Sequence, residues 1–585
     1  MAYDQPPTRA SWLAAAATRW RIRDTDELPA DTLAAEAGCS ALLARLLIIR
    51  GVRDGASAQR FLSPSFDDLP DPMLLPDAAR AVARLRTAIA RHETIWIHGD
   101  YDVDGVTAAA LYGRLLRRMG AHAHVHVPHR SRDGYDLRTP FLDRARDAGA
   151  ALVLTADCGT RRVDEIDAAR RAGIDVIVTD HHEPGDEVPD AVAVVNPRRG
   201  GAADGFADLS GAGVAFRLGE ALVAASGLPV ASYRRAYADL AAIGTVADVM
   251  PLLGQNRVIV EHGLRALRAS RKTGIRALLE AAGLRAGDIR ASDIAFGIGP
   301  RINAAGRMGD AADALELLLT GDEETGRRIA TELDCANTAR QREQARVLAE
   351  VLRSAEEQPS DARCLVLHGE GWHPGVIGIV AGRVVELTGR PAILVSIDTK
   401  TGRGRGSGRS VGAFHLHRAL TECEDLLSEY GGHALAAGLS IDAGRIAELG
   451  ERLRRSAALA LSEDDLAPVI EADALVDPLS LGPDAVQELD RLEPCGRGNP
   501  APRFVARRQV VREVGRMGRD ASHLRIALGD PTGAAYRAVW WRHGDWADRI
   551  QTGDRVDICY RPSLDPYNNH VAVRSIIEDM RRCDE

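Results

Sequence analysis

The chain of 585 residues is 45% hydrophobic and 27% charged, which excludes wholesale disorder and leaves room for roughly three to five domains of about 150 residues. It holds no run of about 18 uncharged apolar residues, so a membrane-spanning helix is excluded. A formal charge of −9 excludes a globally basic nucleic-acid coat and confines any nucleic-acid surface to a local patch.

Near the start, the apolar patch Trp12–Ala17 is too short for a signal peptide's core and is soon followed by Arg19 and Arg21, the wrong charge order. The eight cysteines are scattered without a C-x-x-C pair, so neither a disulfide framework nor a zinc site is expected, and a reducing cytoplasmic setting fits. Residues 1–75 carry no further signal and are read as an N-terminal segment. From Thr94 the runs Thr94–His98, Ala151–Ala156, Asp175–Thr179 and Ala191–Val195 alternate with helix-like stretches such as Val106–Met119 and Arg162–Ala172. This pattern predicts an α/β domain over residues 76–320, a parallel sheet with helices on both faces. Continuous apolar runs such as Ala151–Leu154 suit strands buried on both sides.

Residues 321–358 predict a connecting helix, either one over Glu323–Glu357 or two broken near Asn337, closed by Pro359. A second α/β pattern spans 359–462: strand Cys364–His368, helix Val376–Leu387, strand Ala392–Ile397, then a glycine-rich loop Gly402–Gly408. In residues 463–585 the runs His523–Leu528, Arg555–Tyr560 and His570–Arg574 predict a small antiparallel β-barrel or sandwich.

The chemistry concentrates at strand ends. His98-Gly-Asp100-Tyr-Asp102-Val-Asp104-Gly105 places acids at alternate positions, which share one side of an extended segment. Such close like charges repel unless a cation neutralises them. A calcium loop is a rival reading, but position twelve counted from Asp100 is Leu111, where a glutamate is required. The next strand ends in Asp157 and the one after in Asp180-His181-His182; ligands of open parallel sheets bind at such carboxyl ends. Asp248 closes the apolar helical run Tyr237–Ala247, and a buried aspartate there needs a partner or a metal. Carboxylates with a minority of imidazoles suit magnesium or manganese, and there are enough for two ions, the arrangement that clamps a phosphodiester for in-line attack.

In this order HGDYDVDG, TADCG, TDHH and GTVADVMPL resemble the DHH phosphoesterase superfamily. PRINAAGRM, GSGRS, GGHALAAG and LEPCGRGNPAPRF resemble its bacterial RecJ family of single-strand-specific exonucleases, from about residue 75 to the end. The resemblance implies a DHH-type parallel-sheet domain, a DHH-associated domain and an OB-like barrel. It implies that His98, Asp102 and Asp157 hold one divalent cation, and Asp104, Asp157, His181 and Asp248 the other. His182 would face the scissile phosphate and Asp100 would support the cluster. Tyr135-Asp136 stands where the family has Tyr-Gly, and Cys495 where Phe is commoner.

Alternating arginines and glycines over Thr401–Ser410 suit phosphate binding, with a flexible basic loop or an RNA-binding RG tract as the plain alternative. The resemblance makes Ser407, Arg409 and His433, the last near a helix start, phosphate contacts, joined by Arg130 and by Arg301 or Arg307. In the last region Arg503, Arg507, Arg508, Arg512 and Arg516 lie near Trp540, Trp541, Tyr560 and Tyr567, a composition suited to single-strand tracking if the aromatics are exposed. The expected function is two-metal, 5′-to-3′ hydrolysis of single-stranded DNA in recombination and repair. A small-substrate relative, a nano-RNase or cyclic-dinucleotide hydrolase, is the alternative. The resemblance also implies a single-strand-binding protein and a RecQ-type helicase as partners, and the absence of a long apolar run predicts no membrane association.

Overall fold

The computed structural model describes residues 18–23, 30–130, 132–200, 205–530, 532–565 and 572–583. The patch Trp12–Ala17, His570 and Tyr567 lie outside them. Two compact units are formed. The first comprises Pro29–Thr338 with Asp490–Ala501; the second comprises Met1–Leu28, Ala339–Leu489 and Pro502–Glu585.

In the first unit, strands β1 (Thr94–Gly99), β2 (His122–His126), β3 (Ala150–Ala156), β4 (Asp175–Thr179) and β5 (Ala193–Val195) form one parallel sheet in the order β2-β1-β3-β4-β5. Alternation along a strand sends neighbours to opposite faces. Thus Leu152 and Leu154 enter one core with Ile95, Ile97 and Ile177, while Val153 enters the other with Val176, Val178 and Ile166. Helix α1 (Val103–Arg118) leaves β1 and is buried over most of its length, and α2 (Gly211–Ala225) and α3 (Val230–Ala247) pack against it. Each crossover returns to a parallel neighbour, so the carboxyl ends of β1, β3 and β4 meet at one edge. Helix α4 (Gly299–Met308) follows later in the same unit.

Helix α5 (Glu323–Glu356) is continuous; there is no break at Asn337. In the second unit, strands β6 (Leu365–Glu370), β7 (Ala392–Asp398), β8 (Arg403–Arg409), β9 (Leu427–Gly432) and β10 (Ala436–Asp442) form a sheet ordered β9-β10-β8-β7-β6. The stretch expected as a glycine loop is therefore strand β8, paired on both sides. Gly404, Gly406 and Gly408 alternate onto a crowded face. Added Cβ atoms there would press on Val395, Leu439 and Leu416 respectively. Glycine composition suggests a loop only until a neighbouring backbone supplies the pairing.

The final region closes into a barrel of β11 (Phe504–Met517), β12 (His523–Gly529), β13 (Ala535–Trp540), β14 (Arg555–Asp565) and β15 (Ala572–Arg582), with β14 returning to β11. It is not wholly antiparallel, because β13 pairs with β15 in parallel. Before it, Val469–Ala472 pairs in parallel with Arg19–Ile22. No single described helix is long and apolar enough to cross a membrane.

Candidate metal centre and phosphate contacts

The residue after each central strand turns its N–H to the neighbouring strand. Asp100 N donates to Ala156 O at 3.2 Å, Asp157 N to Thr179 O at 2.9 Å, and Asp180 N to Val195 O at 3.2 Å. This common offset carries the side chains beyond the sheet edge together. Asp157 takes a left-handed backbone, φ 69°, which aspartate tolerates better than most residues. Close packing follows: a Cβ on Gly211 would collide with the Asp157 carboxylate, and one on Gly244 with Asp104 and Thr107.

Among the described residues, three groups of donor atoms lie within mutual ligand distance: Asp100, Asp102 and Asp157; Asp104, His181 and Asp248; and Asp157, His181 and His182. His181 Nε2 is 3.1 Å from Asp157 Oδ1, 3.6 Å from Asp248 and 3.8 Å from Asp104. Asp104 accepts the N–H groups of Gly211 and Ala212 at the start of α2, at 2.6 and 2.9 Å. Asp102 caps α1 by accepting Gly105 N–H at 3.1 Å. Neither the buried Asp100 Oδ1 nor Asp157 Oδ1 accepts a well-formed hydrogen bond, the 3.1 Å approach of His181 Nε2 to Asp157 Oδ1 being a contact between two candidate ligands, a costly state for buried carboxylate oxygen unless a cation completes it. The donor set fits hard divalent ions.

Asp100 thus stands beside Asp102 and Asp157 where His98 was expected. His98 is fully buried, stacked near His126 and Phe141 with ring centroids 5.4 and 4.7 Å away. Its Nδ1 lies 3.3 Å from His126 Nδ1, and its Nε2 has no hydrogen-bond partner. Burial, then the nearby His126, pushes its pKa down to about 3.

His182 Nδ1–H donates to Asp180 at 2.7 Å, and His182 Nε2 lies 3.3 Å from the Tyr135 hydroxyl. Burial opposes protonation of His182, but the Asp180 hydrogen bond and charge outweigh it and raise the pKa to about 9. Asp180 also accepts the N–H groups of Thr160, His181 and His182. The sequence pattern assigns Asp180 no role, although its place at a strand's carboxyl end, beside two histidines, is a signal for one. The departure at Asp136 is accommodated: its φ is 69°, a glycine-like conformation, and Arg162 Nε pairs with it at 2.8 Å.

Burial raises Asp104 to about 7, helped by Asp102, and Asp248 to about 8, helped by Asp104 and Asp102. Burial and neighbouring carboxylates also lift Asp100 and Asp157 well above the ordinary range. Between 3.8 and these values the four carboxyls bind more protons in the native state than unfolded, so their contribution to metal-free stability falls as pH rises, outweighing the opposite effect of the buried His98 and His181 below 6.5. Cations reverse this by displacing the protons. The expected result is that chelated protein melts lower at pH 8 than at about pH 5.5, and that adding manganese near neutral pH in weak buffer acidifies the solution. A flat melting profile without proton release would mean that the cluster is already ionised.

Arg130 lies over the Tyr101 ring, 5.2 Å from its centroid, and Arg130 and Arg307 both act on that phenol electrostatically. Arg301, on α4, is committed elsewhere. Its Nε and Nη2 meet Asp334 at 3.0 and 2.8 Å, and Nη1 donates to Gly297 O at 2.7 Å. In the second unit Ser407 and Arg409 share the β8 face toward α6 (Pro374–Thr388), where a Cβ on Gly378 would reach both. His433 is exposed in the β9–β10 hairpin, at the sheet end where Ala436 pairs with Arg409, and not at a helix start. Of the barrel aromatics, Tyr560 and Trp540 are core, while Trp541 is 41% exposed. Arg503, Arg512 and Arg516 are engaged by Glu578, Asp530 O and Asp548.

Residues 94–245 match the DHH family, N-terminal domain, residues 361–458 the DHHA1 domain, and residues 472–579 the RecJ OB domain. The chain is 34% identical over 567 residues to the single-stranded-DNA-specific exonuclease RecJ of Bacillus subtilis, covering 97% of this chain and 71% of that one. It resembles the crystal structure of RecJ with Mn2+ from Thermus thermophilus (TM-score 0.83, 34% identity, 97% of this chain and 80% of that one). It also resembles the Mg2+ complex from the same organism (TM-score 0.76, 33% identity, 97% and 79%).

Proposed function

This chain belongs to the RecJ family of single-stranded-DNA-specific exonucleases, and from that membership we propose that it removes 5′-mononucleotides from the 5′ end of single-stranded DNA during recombination and repair. The observation that carries the chemistry is the cluster of buried aspartates with unpartnered oxygens at one sheet edge. Asp100, Asp102 and Asp157 would hold one divalent cation, manganese or magnesium, and Asp104, His181 and Asp248 the other, with Asp157 beside both. When bound, the ions supply an activated water and neutralise charge developing on the phosphoryl oxygens.

The chain's own groups do the rest. The Asp180 hydrogen bond and charge favour protonated His182, whose Nε2–H, now facing the Tyr135 hydroxyl, would turn to a non-bridging phosphate oxygen when substrate displaces that contact. Tyr135 aligns that ring from the other side. Arg130 and Arg307 offer guanidinium groups around Tyr101, next to Asp100 and Asp102. Ser407, Arg409 and His433 are proposed to hold phosphates of the strand, and the barrel to bind single-stranded DNA. The RecJ OB domain over residues 472–579 favours a long strand over a dinucleotide substrate. A single-strand-binding protein and a RecQ-type helicase remain proposed partners.

The test is an oligonucleotide labelled at either end, offered with manganese as single strand and as blunt duplex. Mononucleotides are expected from the 5′ label first, with the duplex resistant. Arg409→Ala is expected to slow 5′-phosphorylated ends more than 5′-hydroxyl ends. Shortening from the 3′ label would overturn the polarity, and equal losses on both end types would remove Arg409 from the end contact.

A further inference from the structure

Asp490–Ala501 leaves the second unit's chain and folds with the first. It is firmly seated there. The buried Arg257 donates to the carbonyls of Arg491, Leu492, Glu493 and Pro494 at 3.3, 3.0, 2.6 and 3.3 Å. Arg50 donates to Asn499 Oδ1 and Pro500 O at 2.7 and 2.6 Å. The tip of this strap reaches the turn that follows Asp248. Leu252 N donates to Arg497 O at 2.8 Å, and Arg497 Nη1 donates to Val249 O at 3.3 Å. A Cβ on Gly496 would press into Leu252, and one on Gly498 into Leu253 and Pro251.

Val249, directly after Asp248, has a left-handed backbone with φ 56°, and its residue surface is 60% exposed. A β-branched residue is a strained occupant of that conformation, which persists where the surroundings impose it. An exposed side chain imposes little, whereas the strap grips the backbone of the same turn at two points. We infer that Arg497 is a positioning residue: the strap holds the Val249 turn so that the Asp248 carboxylate stays with Asp104 and His181. The inference rests on the reading of Asp248 as a metal ligand given above. Phosphodiester hydrolysis would then depend on a segment far along the chain, which continues directly into the barrel's first strand.

The experiment measures manganese binding by calorimetry and by electron paramagnetic resonance on the metal-free, full-length protein. Asp248→Asn is expected to lose one ion. Arg497→Ala is expected to weaken one site about tenfold, as supporting groups around metal ligands do, leaving the other site and the melting midpoint of the metal-free protein unchanged. Arg497→Lys should recover most of the affinity, because an ammonium can still donate to Val249 O. Adding Val249→Gly to Arg497→Ala should recover it too, because glycine accepts that φ without strain. Two unchanged sites in Arg497→Ala, while Asp248→Asn loses one, would overturn the strap's role alone. So would a lowered melting midpoint without recovery by either rescue, which marks structural support only. Two intact sites in Asp248→Asn would overturn the ligand assignment, and the strap's role with it.

Discussion

Asp157→Asn is expected to reduce single-strand cleavage by about a thousandfold or more, equivalent to roughly 4 kcal/mol of activation free energy. Asp157 lies in the group with Asp100 and Asp102 and in the group with His181 and His182, so one substitution weakens both proposed ion positions. The loss should appear as a fall in turnover and in the number of manganese ions bound. Folding should not suffer. Asp157 is held above the ordinary carboxylate range by burial and by Asp104, Asp102 and Asp248, so a neutral amide removes a repulsion from the metal-free state. Asp157→Asn should therefore melt higher than the parent in chelator and lower in manganese. Near-parental turnover with manganese, or a lower melting midpoint in chelator, would overturn this role.

Trp541→Ala is expected to weaken binding of a long single strand by about tenfold, within the range of roughly 1–3 kcal/mol for one base-stacking aromatic. Hydrolysis of a trinucleotide should be unaffected. Trp541 meets His523 edge-on with ring centroids 5.0 Å apart and leaves much of its surface to solvent. Trp540 instead stacks on His543 at 3.9 Å, within the barrel's packing, so Trp540→Ala should lower the melting temperature. Binding measured by fluorescence anisotropy over a salt series separates stacking from phosphate contact, since only the latter changes the salt slope. An unchanged affinity in Trp541→Ala would assign the base contacts to other barrel residues. A point substitution is the right tool here. Truncating from about residue 465 would also delete Asp490–Ala501, which folds with the first unit.

The sequence by itself determined the α/β class, the order of acids and histidines along the chain, and their arrival at the ends of β1, β3 and β4. Those properties are local: alternation along a strand and the turn after it decide where Asp102, Asp104, Asp157 and His181 can point. The exposed or buried state of the barrel aromatics was not local, and neither were the contacts of Arg301. Arg301 is consumed by Asp334, 33 residues away, a pairing that composition cannot show. The exchange of His98 for Asp100 beside Asp102 depended on His126 and Phe141, which come from other elements and enclose the imidazole. Strand β8 looked like a loop because its glycines lack side chains to signal burial; Leu439 and Val395 fill the space they leave. The strap is also long in range: it joins Arg497 to Val249 across 248 residues, and Asn499 to Arg50 across 449. Only folding brings such groups together, because each bond is decided by which surfaces pack and not by neighbours in the chain.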